Sequence, residues 1–402
     1  MIRQDLKSRV VFLVTLLCIS LHAYYFYEIS LAPFPPLGFI IFSLYAFRNF
    51  APSLRLAAPF LSIIGLNVIG GIIQLAYQPS FYFIYWQTIV GITAAVMFGS
   101  LICGAIRRNP EAFKWAVRWV LILHIGVYYL QVAVFYTTGH YVDFLQPMTG
   151  EEQRYMGGAF IQVIRPTGLF NEPATFSVHI FYLMCLYGLS RRVMRLDRIL
   201  LFGLVSMFFS FSLTGFVYSL LFIGIYLVRT GFKQLLVDVF PTAVLLFVGA
   251  TSIYGVVKPG MFALGDRIGG LEADGSVGGR YNFTRFANES GLIQVFGNGI
   301  GVIPGVTDDP MALSGYQFCV NQLGVFFTGL FVWFALVISK RISASYLPAL
   351  IALVALFSSL NIVYFHFWLL YFGVMASIGS HRLMPQTNRV EVRSLCAESR
   401  AS

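Results

Sequence analysis

Charged residues are scarce in this 402-residue chain, yet Arg154, Arg165 and Glu172 crowd into one run, RYMGGAFIQVIRPTGLFNEPATFSVH, at 154–179. A second basic cluster, Arg280 and Arg285, follows later. Arginine suits phosphate because its planar fork donates two parallel hydrogen bonds and never loses its charge. Two such clusters, each beside a helix start, read as the lip of a site for an anionic, membrane-tethered substrate. The competing partners for each arginine are the acids Glu151, Glu172 and Glu289, or lipid phosphates.

The stretch GLFNEPATF at 168–176 reads as a helix start. Asn171 is the expected N-cap, and Pro173 fits the first turn, where its missing N–H costs nothing. The positive end of that helix dipole would favour an anion nearby. Glu172 either orients Arg165, accepts a proton from a hydroxyl, or simply complements the dipole. His140 in the preceding loop and His179, two turns beyond Glu172 on the same face, are candidate bases. Packing is the competing role for both. GNGIG at 297–301, with Gly299 at its centre, has no strand before it and no helix after it, so it is not a dinucleotide fingerprint. It reads as a tight turn whose backbone approaches a phosphate or sugar closely. Asp308 and Asp309 precede Pro310 and form a turn rather than a metal site.

The elements that must position these residues are membrane helices. The composition is 58% hydrophobic and 11% charged, which a water-soluble fold of this length does not carry. Solid apolar runs, rather than alternation, exclude a β-barrel. Apolar spans fall near 10–29, 36–47, 56–77, 81–106, 115–137, 172–190, 199–212, 214–228, 234–256, 316–339, 345–360 and 362–380. The first follows MIRQDLKSR, as in a signal peptide, but is long for one and reads as an uncleaved span. Charge places two of the divisions. Residues 199–228 lie between RRVMRLDR and RTGFK, and two short helices turning at Ser212–Gly215 keep both basic clusters inside. The same argument splits 345–380.

The fold expected is therefore an all-α polytopic integral membrane protein, a single membrane-embedded domain over 1–402, with about twelve transmembrane helices. Both termini are expected in the cytoplasm, with a cytoplasmic tail at 381–402. Of 27 Lys and Arg residues, only Arg154, Arg165, Lys258, Arg267, Arg280 and Arg285 fall outside. The net charge of +10 is thus an orientation signal, and nucleic-acid binding is not needed to explain it. The five cysteines have neither metal-site nor disulfide spacing and read as small apolar fillers. Two external loops, 138–171 and 257–315, are too long for simple turns. Within the second, YNFTRFANESGLIQVF at 281–296 has helical periodicity and an apolar face of Phe286, Ile293 and Phe296. It reads as a helix lying at the membrane surface.

The run RPTGLFNEPATFS at 165–177 resembles the arginine-to-Glu-Pro segment of bacterial O-antigen and exopolysaccharide polymerases. GGRYNFTRFAN at 278–288, followed by VFGNGIG at 295–301, is similar to the arginine helix and Gly-rich turn of the wider polymerase and ligase superfamily. NQLGVFFTGL at 321–330 resembles the helix start after that loop. The resemblance implies glycosyl transfer at the periplasmic face of the bacterial inner membrane, in lipopolysaccharide or exopolysaccharide synthesis. A growing glycan moves from undecaprenyl pyrophosphate onto the sugar of another lipid-linked repeat unit. The leaving group is a stabilised anion, so charge neutralisation matters more than a strong general acid. Arg165, Arg280 and Arg285 would hold the pyrophosphate. Glu172, or His140, would orient or deprotonate the acceptor hydroxyl. Arg154 would contact glycan, external aromatics such as Tyr281 would stack on sugar rings, and Gly299 would lie close to substrate. No metal or other cofactor enters this scheme. The implied partners are the undecaprenyl-pyrophosphate-linked glycans, the lipid bilayer and a chain-length-regulating co-polymerase.

Two other functions compete. The ligase branch carries a histidine shortly before the helix start after the second external loop, but that stretch here reads DDPMALSGYQFCVNQ, without one. A transporter or flippase for lipid-linked glycan would place charges or broken helices at the membrane midplane. The apolar spans are almost free of charge, which favours the polymerase.

Overall fold

The computed structural model describes residues 2–21, 34–49, 54–77, 82–154, 164–191, 193–232, 234, 237, 291–297, 315–356, 362 and 364–383. Over these residues the chain is all-helical, with no strand. The helices are α1 (Ile2–Ser20), α2 (Phe34–Asn49), α3 (Leu54–Tyr77), α4 (Tyr82–Arg108), α5 (Pro110–Thr138), α6 (Gln146–Thr149) and α7 (Pro173–Leu189). After these come α8 (Arg198–Phe208), α9 (Leu213–Thr230), α10 (Gly291–Phe296), α11 (Gly315–Ser343), α12 (Leu347–Ala355) and α13 (Phe365–Leu383).

Among the described residues, four stretches are long and apolar enough to cross a membrane: Trp86–Arg108, Pro110–Thr138, Leu213–Thr230 and Cys319–Ser343. Several shorter apolar helices pack among them, including most of α7 and α13. At 11 and 9 residues, α8 and α12 rise only about 16 Å and 14 Å, short of a straight crossing. α1 begins eight residues before the expected apolar run. Its polar first turns are held by an ion pair between Asp5 and Arg9 one turn apart (2.8 Å).

α7 and α13 form the centre. Nearly every described side chain of α7, and each one over 365–380 in α13, is buried. A helix apolar on all sides belongs inside a bundle rather than at its surface. α13 packs on α4, α7, α11 and α12, and α7 on α5, α8, α9 and α13. Trp368 and Phe372 of α13 join Phe60 of α3 and Phe331 of α11 in an aromatic cluster with ring centroids 5.0–6.2 Å apart.

The chain does break between α8 and α9, at 209–212, a few residues ahead of the expected Ser212–Gly215 turn. The local cause is a set of hydroxyls. Ser212 Oγ accepts from the Gly215 N–H (2.9 Å), while Ser177 of α7 lies 3.0 Å from Ser210 Oγ and 3.3 Å from Ser212 Oγ. A turn between apolar helices requires such internal partners for its polar groups. Gly215 is essential to the close approach. A Cβ there would stand 2.3 Å from the Met207 carbonyl oxygen, 2.5 Å from Ser210 Oγ and 2.7 Å from Ser177 Oγ. Gly215→Ala is therefore expected to destabilise the α7–α9 corner by about 1–3 kcal/mol through overpacking, read as a lowered unfolding midpoint in detergent. An unchanged midpoint would mean that the corner relaxes freely.

Candidate functional site

The first long loop is built outward from one residue of α5. Gln131 is completely buried near the end of α5, in its apolar second half. Its Nε2 donates to the Val142 carbonyl (3.0 Å) and to Gln153 Oε1 (2.9 Å). Its Oε1 accepts from the backbone N–H groups of Thr167 (3.2 Å) and Gly168 (2.8 Å). Gln153, also buried, donates through Nε2 to the carbonyls of Gly168 (2.7 Å) and Phe170 (3.1 Å). The Tyr141 hydroxyl donates to Gln153 Oε1 (2.7 Å), and Asp143 Oδ2 accepts from the Gln153 N–H (2.8 Å). The great majority of buried polar groups in folded proteins are bonded in this way. The result ties the backbone at Val142 and Gln153 to that of Thr167, Gly168 and Phe170.

Gly168 takes the left-handed conformation (φ 62°) that admits glycine without strain. Phe170 is fully buried, with its ring between His124 of α5 (centroids 4.9 Å) and His179 of α7 (4.5 Å). This wedge seats the loop on the bundle. The chain then extends through Glu172 (φ −147°, ψ 157°), and Pro173 begins α7.

The N-cap of α7 is therefore Glu172, one residue after the expected Asn171. Asn171 is drawn elsewhere: its Nδ2 donates to Glu151 Oε1 (2.9 Å), and its carbonyl accepts the Arg154 N–H (2.6 Å). Glu172 does not bond its own helix N–H groups through its side chain. Its Oε1 instead accepts from the Thr175 hydroxyl (3.3 Å), and the half-buried carboxylate sits at the positive end of the α7 dipole.

Of the expected site residues, Arg165 and Glu172 lie in the anchored segment, and Arg154 is tied to it through its backbone N–H on the Asn171 carbonyl. Arg165 is half-buried and Arg154 exposed. His140 is exposed just past the C-cap of α5. Its N–H donates to Thr138 Oγ1 (3.2 Å), and its place is the far end of the loop in sequence. Arg280, Arg285, Tyr281 and Gly299 lie outside the described residues, as does most of the expected surface helix. Among the described residues no three His, Cys, Asp or Glu side chains group closely enough to hold a metal ion.

The first glycine of GNGIG makes a close approach, but to protein backbone. A Cβ on Gly297 (φ 78°) would lie 2.3 Å from the Gln322 carbonyl oxygen, and one on Gly324 (φ 70°) 2.3 Å from the Gly297 nitrogen. Gly324 breaks α11. Asn67 of α3 bridges the junction, its Nδ2 donating to the carbonyls of Phe296 (3.4 Å) and Gln322 (3.1 Å).

Gln131 and Gln153, which organise the loop, are absent from the sequence expectations. The available signal was Gln131 itself, an uncharged polar side chain within the apolar run HIGVYYLQVAVF. The fold and composition define an all-helical, membrane-embedded protein. Compared with protein-family models, curated proteins and solved structures, the chain gives no match.

Proposed function

We propose that this protein is a membrane glycosyltransferase that polymerises undecaprenyl-pyrophosphate-linked repeat units into O-antigen or exopolysaccharide. In this reading it crosses the bacterial inner membrane about twelve times, with both termini cytoplasmic and the loops of 138–171 and 257–315 periplasmic. The observation that carries it is the build of 164–173. The segment whose sequence resembles the polymerases' arginine-to-Glu-Pro run is pinned by Gln131 and Gln153, and it delivers Glu172 to a helix start. That rigidity supports a site in which geometry and charge carry the catalysis.

Arg165 binds the pyrophosphate together with Arg280 and Arg285, neutralising the charge that develops on the leaving group. Glu172 takes the proton of the acceptor hydroxyl as that oxygen attacks the anomeric carbon. Arg154 and Tyr281 hold glycan, as does His140. A co-polymerase that sets chain length is the expected protein partner. The test is purified protein in lipid with a synthetic pyrophosphate-linked repeat unit. A ladder of products is expected, whereas one unit moved onto a lipid A core indicates a ligase. No transfer to either acceptor overturns the enzyme reading.

The second reading is a transporter of the same lipid-linked glycan. The break at Gly324, inside a stretch long enough to span, favours it, since transporters build sites from discontinuous helices. Translocation of the unit between vesicle leaflets without elongation would select it.

A further inference from the structure

The end of α7 opposite Glu172 carries a group of arginines that the proposed reaction does not use. α7 closes at Leu189 and α8 opens at Arg198, with RRVMRLDR at 191–198 leading into it. Met194 holds this corner together. It is buried and folded onto Gly188 of α7, where an added Cβ would stand 2.9 Å from Met194 Cε. Asp197 caps α8, its Oδ1 accepting the Leu200 N–H (3.1 Å), and its Oδ2 accepts from the Tyr187 hydroxyl (3.0 Å). Arg191 lies over the Tyr187 ring, 4.0 Å from its centroid, and pairs with the same Asp197 oxygen.

The one acid of the corner is thereby taken, and guanidinium groups remain around it. Arg118 of α5 stands near enough for its charge to act on the Tyr187 hydroxyl. Arg198 follows Asp197 directly, and Arg195 lies two residues before it. Arg118, Arg195 and Arg198 are exposed, and among the described residues none of the three has an acid within ion-pair distance. The side of α5 that bears Arg118 continues through Ile125 and Tyr129, and these meet α8. The Tyr129 hydroxyl donates to the Phe202 carbonyl (3.1 Å), and a Cβ on Gly203 would lie 3.3 Å from Ile125 Cδ1. Arg118 is therefore on the edge of α5 that faces α8.

Two features beside the arginines belong to a lipid surface. Trp119 is 47% exposed, and its ring lies 6.2 Å from that of Trp115, centroid to centroid. Tryptophan gathers at the headgroup level of a bilayer, its apolar body in the hydrocarbon and its N–H in water. Further along both helices the exposed side chains are apolar, Leu123 and Leu130 on α5 and Phe202 on α8. A ligand here meets positive charge at one end and hydrocarbon at the other. We propose that the corner of α5, α7 and α8 binds an anionic phospholipid, its phosphate on Arg118, Arg195 and Arg198 and an acyl chain along Leu123 and Phe202. A zwitterionic lipid carries its own ammonium beside the phosphate and leaves the excess guanidinium charge unbalanced, whereas a net negative headgroup offsets it. The site is independent of the glycosyltransferase reading.

The test is native mass spectrometry of the detergent-purified protein offered phosphatidylglycerol or phosphatidylcholine with the same acyl chains. Wild type is expected to retain phosphatidylglycerol about ten-fold more strongly. A basic residue facing an anionic headgroup contributes about five-fold. Arg118→Gln and Arg198→Gln are each expected to lose that factor, and the double variant to retain the two lipids alike. Arg229→Gln removes an exposed charge from the last turn of α9 and is expected to change nothing. Equal retention of the two lipids by wild type overturns the proposal. So does an equal loss from Arg229→Gln and Arg118→Gln, which would show a response to overall charge alone. Release of the lipid by inorganic phosphate overturns it as well, because the corner would then hold a free anion.

Discussion

Arg165→Ala and Arg280→Ala are each expected to cut polymerisation more than about ten-fold while the protein still inserts into the membrane. A hydrogen bond to a charged group contributes about 1.5–3 kcal/mol, and each 1.36 kcal/mol at the transition state is about ten-fold in rate. The effect is expected to be large at Arg165 because its backbone is not free to compensate. Thr167 and Gly168, two and three residues on, are held by Gln131 Oε1, so a shortened side chain cannot be replaced by a shift of the loop. Arg165→Lys keeps the charge without the fork and is expected to fall between wild type and alanine. The product ladder provides the measurement, and normal ladders from both alanine variants would show that these guanidinium groups do not hold the leaving group.

Gln131→Leu is expected to release the first long loop and abolish activity. Leucine keeps much of the volume but leaves the N–H groups of Thr167 and Gly168 without their acceptor, and the Val142 carbonyl without its donor. Each orphaned buried group costs about 1–3 kcal/mol, so the two N–H groups together cost about 2–6 kcal/mol. That is a sizeable share of the roughly 5–15 kcal/mol that holds a typical domain folded. The loss is local, and α5 itself keeps its backbone bonds. Limited proteolysis of the protein in vesicles, with protease on the side the loop faces, is expected to cleave the variant within 139–154 or 164–172, where wild type resists. Equal resistance would show that Phe170 and its histidine neighbours hold the loop unaided.

The sequence made the bundle legible because helices of bilayer length need unbroken apolar runs, and those survive small errors in boundary. It also located the break between α8 and α9 to within a few residues, although by a charge argument that concerns sidedness. The observed cause is a knot of serines and a glycine that no charge pattern reports. The N-cap of α7 was misplaced by one residue because Asn171, a good cap in isolation, bonds Glu151 instead. Tertiary partners won over local preference there. The glutamine hub was hidden for a related reason. Gln131 and Gln153 are 22 residues apart, and only the folded loop brings their amides to 2.9 Å. Gly297, the first residue of GNGIG, lies against the backbone of a helix break 27 residues later, a contact that no local pattern reports.

The all-round burial of α7 has a consequence for how the molecule is made. The helix Phe365–Leu383 is translated after every helix it packs against, α1, α4, α7, α11 and α12. Until it emerges from the ribosome, the flank of α7 that bears His179 has Phe170 beside it but lacks its α13 partners, His366 among them. Assembly therefore cannot finish helix by helix in the order of synthesis. A nascent chain halted before residue 365 would leave the His366 side of that imidazole uncovered, and so a ready mark for the cell's quality control.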